Sequence, residues 1–505
     1  MSKRDKKTAK RRVVQVLALV LALLLAGGAV VTALFSAWAE NEVPRNDSCA
    51  MTIELYEEEQ ALRVTQRLVY TNRTGAPLDG VMFYLYGNMF RRESALIYES
   101  EDLDAVFPSG YAPGGVAFTA IRVNGEPATW GVQGKDELFL RVACDLQPGA
   151  QVEFEFEFVA LYTVNNAMLG AGETDLRFSG FYPVPALTGS DGGFVTNAPL
   201  AFARTMFTPA LDYSVDFILP EIYDLACGGT PELTGSGDGL QHWHVELTAH
   251  EFAFACGRRW RSYTAETASG VRVTVLSNAR GAARKALACA VATVEQYENW
   301  FGSFPGAALT IAQSDYPLEG LTFDGLIWLA NDLFAGTEEA LAQQLRFRIA
   351  QQYFGLAAYV DPAADAWLTD SVSRYVAYLA LESADGPEAL LRALNRDIVP
   401  ALQLTMPGGL NVTSAANLFR RSEYRVVVLD RGAAVLHELR SAMGREDLLA
   451  GLRGFCEMGA DREALGEYDL VAALDAASGG SWEAFLTDWL FNISDYANQS
   501  IDWLD

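Results

Sequence analysis

Histidine is scarce in this chain: four residues among 505. Imidazole is the commonest ligand of catalytic zinc, so this scarcity narrows the room for metal chemistry. The six cysteines (Cys49, Cys144, Cys227, Cys256, Cys289, Cys456) are scattered, and no CxxC pair occurs. That excludes zinc ribbons and thioredoxin-like redox sites, and leaves small core residues as the reading. Basic residues are few, 38 against 64 acids for a net charge of −26. Such a balance argues against nucleic-acid binding, which needs cations to replace counterions, and it favours solubility. Neither a G-x-S-x-G elbow nor a P-loop appears. There is no internal repeat and no low-complexity tract.

What is present is apolar. Half of the residues are hydrophobic and 11% are aromatic, enough for two or three domains with full cores. The first twelve residues hold seven basic side chains and one acid, so the rest is more acidic than the whole. Val13 to Ala39 then carries no charge, and Val16 to Phe35 is apolar or small throughout. That length spans a bilayer as a helix, and the basic flank predicts a cytoplasmic N-terminus with the body outside. The expected boundaries are a basic cytoplasmic segment over 1–12, a transmembrane signal-anchor over 13–35 and a linker over 36–48. Ala37-Trp38-Ala39 also fits a small-x-small cleavage site, so secretion after cleavage near Ala39 is the alternative.

From Cys49 to Arg258, runs such as ALRVTQRLVYTN and VEFEFEFVAL alternate apolar and polar residues between turn signals. They predict an all-β sandwich domain over 49–258. After Gly270 a strand, a helix and another strand lead into helical segments. An α+β, mostly helical domain is predicted over 259–505. The fold class is therefore multidomain: a transmembrane helix, a β-sandwich, then an α+β domain.

Several segments carry a resemblance. VYTNRTGAPLDGVMFYLYGNMFR (Val69 to Arg91), GFYPVPAL (Gly180 to Leu187) and VELTAHEFAFACG (Val245 to Gly257) lie in the β part. QQYFG, AWLTDSVSRYVAYLALE, LDRGAAVLHELRSAMG and SGGSWEAFLTDWL follow in the helical part. In this order they resemble the M1 zinc aminopeptidases, or gluzincins, in their short bacterial form. The likeness covers most of residues 50 to 495 and implies a thermolysin-like second domain and a zinc site. In the family, H-E-x-x-H supplies two zinc ligands and the general base, and a glutamate from the next helix is the third ligand.

Here the frame is kept with other residues. The resemblance places Phe347 and Gln351 at the two histidine positions and Arg348 at the general base. Asp370 stands at the third ligand, with eighteen residues between Gln351 and Asp370. Thr322 occupies the place of the glutamate that anchors the substrate amine, and Leu429 that of the oxyanion tyrosine. One carboxylate cannot make a three-ligand zinc site, a phenyl ring has no lone pair, and Arg348 is a permanent cation. The family implies zinc, but its ligands are absent, so no cofactor is expected. An Arg348–Asp370 ion pair is expected instead.

Other candidates are weaker. Tyr424, Glu319 and Asp324 could line a ligand cleft; Asp315, Glu319, Asp324 and Asp370 are the acids near it, and all four read as solvated in the first instance. His242 and His244 share a strand face, with His250 on the next turn or strand. His437 reads as helix packing. The expectation is a membrane-anchored, extracytoplasmic pseudopeptidase that binds a peptide or protein partner. Alternatives are a zinc metallopeptidase with residual or altered activity, and a structural subunit of a membrane complex.

Overall fold

Alternation of apolar and charged side chains builds the first part of the molecule. The computed structural model describes residues 46–134, 136–189, 192–404 and 409–496. The segments expected over 1–12 and 13–35, and most of the linker, lie outside these. Among the described residues no helix is long and apolar enough to cross a membrane. Those from Asp47 onward form one compact unit.

An eight-stranded sheet dominates the β-rich part. Its order is Glu232–Gly237, Leu240–Ala249, Leu211–Pro220, Asp47–Tyr56, Ala61–Thr71, Gln151–Leu161, Gly115–Val123 and Glu126–Pro127. Strand Gln151–Leu161 shows how the pattern works. Val152, Phe154, Phe156, Phe158 and Ala160 are buried on one face. Glu153 and Glu157 on the other pair with Arg67 and Arg122, at 2.5 and 2.6 Å. A period of two makes this segregation automatic. A four-stranded sheet packs on the inner face, where the Phe83 ring meets Phe154 and Phe156 edge-on at 5.2 and 5.3 Å. This is a sheet-on-sheet core. All six cysteines are free, and Cys49, Cys227, Cys256 and Cys456 are buried among apolar neighbours.

A five-stranded sheet starts the second part, ordered Arg261–Glu266, Arg272–Ser277, Ala308–Ser314, Leu326–Ala330, Gly320–Phe323. Helix Arg280–Phe301 is the crossover between two parallel strands, Arg272–Ser277 and Ala308–Ser314. Gly320–Phe323 is an antiparallel edge strand. Gly320 has φ +145°, and a Cβ there would lie 2.2 Å from the Trp328 carbonyl oxygen, so only glycine fits. Helices make up the rest, with a second apolar core.

Helix Glu338–Gln352 covers this edge strand. The fully buried Gln352 ties the two together: it accepts from the Gly325 amide at 3.0 Å and donates to the Phe323 carbonyl at 2.9 Å. An uncovered edge would leave backbone groups without partners. Gln352→Ala should therefore cost about 3 kcal/mol, because two buried backbone groups lose their bonds. Urea unfolding of the full chain checks this; an unchanged midpoint would contradict it.

Candidate functional site

Helix Glu338–Gln352 positions the first three residues. Thr337 caps it by accepting from the Ala340 amide, and Glu338 and Glu339 sit at its positive end. Leu341, Leu345 and Ile349 recur every four residues and enter the helical core. Phe347, Arg348 and Gln351 are buried at 5, 7 and 9% exposure. A π-helical turn, Tyr353–Ala357, follows. Its Gly355 approaches Thr369 so closely that a Cβ would lie 2.7 Å from the threonine methyl. Thr369 and Asp370 lie in the first turns of the neighbouring helix Ala366–Asp385, most of which is buried.

The side chains form one hydrogen-bonded line. The Gln351 amide oxygen accepts from the Thr322 hydroxyl at 2.7 Å and from Arg348 Nη1 at 3.3 Å. Its amide nitrogen donates to Asp370 Oδ1 at 2.6 Å. The Tyr424 hydroxyl donates to Asp370 Oδ2 at 2.6 Å. The Arg348 guanidinium also lies over the Phe347 ring at 5.1 Å. Burial pushes the Asp370 carboxyl above its ordinary pKa, against the pull of the Tyr424 and Gln351 hydrogen bonds and the Arg348 charge. Burial and the Asp370 charge push the Tyr424 phenol well above its own.

Thr322, Arg348, Gln351, Thr369 and Asp370 line a cavity of about 40 Å³. That is room for about three waters. Phe202 also lines the cavity, and its ring packs against Tyr424 at 5.0 Å. Among the described residues no three His, Cys, Asp or Glu side chains converge as a metal site would require.

No protein-family model matches the chain, and no curated protein matches it. Solved structures do. The M1 zinc metallopeptidase from Deinococcus radiodurans superposes with a TM-score of 0.60 at 16% identity, covering 89% of this chain and 95% of that one. A mutant of that enzyme bound to a Tyr-Ser-Ala substrate gives 0.59 at 15% identity, covering 88% and 94%. The chain has the M1 zinc metallopeptidase fold.

Within this M1-type frame, several expectations need correction. Arg348 and Asp370 form no ion pair within contact distance; the Gln351 amide stands between them. An amide can do so because one end accepts from a cation while the other donates to a carboxylate. Tyr424, not Leu429, reaches the site. The helical stretch Arg425–Arg431 is π-wound, so it presents a different face from a 3.6-residue helix. Leu429 packs instead against the helical core.

The nearby acids are not simply solvated. Asp315 accepts from the Thr174 amide at 2.6 Å and its hydroxyl at 3.0 Å. Glu319 does not line the cavity but accepts from Gln344 and Arg425, at 3.0 and 3.1 Å. Asp324 belongs to a separate crevice of about 780 Å³ beside His244 and His250. It accepts from His250 Nδ1 at 3.1 Å. Burial opposes its ionisation, but the His250 and Arg204 contacts win and hold its pKa below the ordinary value.

The histidines divide as well. His242 and His244 lie on strand Leu240–Ala249. His250 stands past its end and stacks on the Tyr359 ring at 3.7 Å. His437 is buried on helix Gly432–Met443 beside the Tyr375 hydroxyl, and burial pushes its pKa down to about 4. Sequence reasoning missed Arg204, Thr369, Tyr359 and Phe202, all of which line the cavity. The signal for Arg204 was a lone cation in the apolar run APLAFARTMF.

The Asp370 pKa direction gives a signed prediction. A carboxyl with a raised folded-state pKa loses stabilisation as pH climbs from the unfolded value through the folded one. Asp370→Asn, which is isosteric, should gain stability over the native chain across that window and match it below pH about 4. Urea midpoints from pH 3.5 to 8 read the difference; the opposite slope would mean a net stabilised carboxylate.

Proposed function

We propose that this chain is a membrane-anchored protein of M1 metallopeptidase fold that binds a peptide or protein partner without cleaving it. The observation that carries the reading is the Gln351 amide seated between Arg348 and Asp370. A catalytic zinc takes three protein ligands and a water. Asp370 is the one anionic donor at this place, and both its oxygens already accept hydrogen bonds. The Gln351 oxygen is held by two donors. Arg348 sets a permanent cation where a divalent ion would sit, and it cannot act as a base. These residues do not fit zinc. The anchor rests on the apolar run Val13 to Phe35 behind its basic cap, and it puts the body outside the cytoplasm.

Zinc content and aminopeptidase turnover test the proposal on the full chain in detergent. The native chain should bind far less than one equivalent of zinc and release no dye from aminoacyl-coumarin substrates. Restoring the ligands by Phe347→His, Arg348→Glu, Gln351→His and Asp370→Glu together should bring zinc binding back. Stoichiometric zinc in the native chain, abolished by Asp370→Ala, would overturn the reading and favour a working metallopeptidase.

A further inference from the structure

Arg348 is a buried cation whose Nη1 donates to the Gln351 amide oxygen, while the Glu319 and Asp370 charges act on it only from beyond contact. It is 7% exposed, no carboxylate lies in contact with it, and its Nε has no hydrogen-bond partner. A buried charge left so is costly unless something compensates it. Its guanidinium lines the same small cavity as two further side chains with unpartnered polar atoms. The Thr369 hydroxyl is buried without a partner. Arg204 reaches the cavity from the loop between strands Val184–Pro185 and Leu211–Pro220, and its Nε and Nη2 are buried with no hydrogen bond. Glu251 and Asp324 flank Arg204 at 3.9 and 3.8 Å, too far for hydrogen bonds. The Asp370 carboxylate also faces the cavity, but Gln351 and Tyr424 each donate to one of its oxygens.

We infer that this cavity is a binding site for a small carboxylate, held by Arg348 with Thr369 and Arg204 as further donors. A guanidinium offers the planar fork that a carboxylate matches, and charge-assisted bonds of this kind are strong. The volume of about 40 Å³ limits what enters to the head group. The ligand is therefore either a free one-carbon or two-carbon acid or the terminal carboxylate of a peptide. The polarity is the reverse of a zinc site. The inference rests on the absence of zinc proposed above.

Formate is the probe, added to the full chain in detergent at constant ionic strength with sulfate as the bulkier control. Formate should raise Tm with the logarithm of its concentration, by roughly 2 °C at a hundredfold excess over Kd. Sulfate should not. Arg348→Met should abolish the rise, and the surface change Arg63→Gln should keep it. A tripeptide with a free C-terminus that shifts Tm where its amide does not identifies the peptide source; a shift by formate alone identifies the free acid. An equal formate shift in Arg348→Met, or none in the native chain, overturns the inference. If Arg348→Met does not fold, crystals of the native chain soaked in formate decide. Density for the ion beside Arg348 Nε supports the site, and formate bound only elsewhere overturns it. Zinc measured in the same sample separates the two failures. Bound zinc sinks the underlying reading, while neither zinc nor formate sinks this inference alone.

Discussion

Everything at the centre of this molecule turns on one amide. Gln351 accepts from a cation and a hydroxyl on one end and donates to a carboxylate on the other. It keeps two buried charges apart while letting each see a dipole of the right sign. Without it, Arg348 and Asp370 would face each other with their desolvation only partly repaid. The position permits this because residues 348 and 351 share a helix face, and Asp370 arrives from the adjacent helix. A metal ion would do the same work in another way, by drawing its ligands together through positive charge. Here the positive charge is covalent and already in place.

The surroundings are arranged to hold that line still. Gln352, the next residue, fastens the helix to the edge strand that carries Thr322. Tyr424 closes the other end of the line from a helix that turns π-wound immediately afterwards. Ser371, next to Asp370, donates to the Val428 carbonyl within that π-wound stretch at 2.6 Å. The site is thus framed by elements tied to one another through buried side-chain hydrogen bonds.

Much of the fold was legible in the chain. Period-two alternation in VEFEFEFVAL and the four-residue spacing of Leu341, Leu345 and Ile349 each announce their element, because burial follows backbone geometry. The site was legible in part. The resemblance to the M1 zinc frame located it at residues 347, 348, 351 and 370, on two helices that do pack together. What was lost was the direct partner of each charge. An ion pair is the simplest guess from two opposite charges, but the amide between them comes from three-dimensional packing. Tyr424 was harder to place for a similar reason: a π-wound stretch has no clear sequence signature, and the resemblance put Leu429 at the tyrosine position. Arg204, Thr369 and Phe202 reach the cavity from loops and helix ends, where neither periodicity nor spacing speaks.

The measurement that bears most directly on this account is a crystal structure grown in excess zinc, with anomalous data collected at the zinc edge. The account predicts no anomalous peak among residues 348, 351 and 370, and density for the Gln351 amide between Arg348 and Asp370. A zinc peak at about 2.0–2.2 Å from an Asp370 oxygen, with Arg348 swung away, would contradict it.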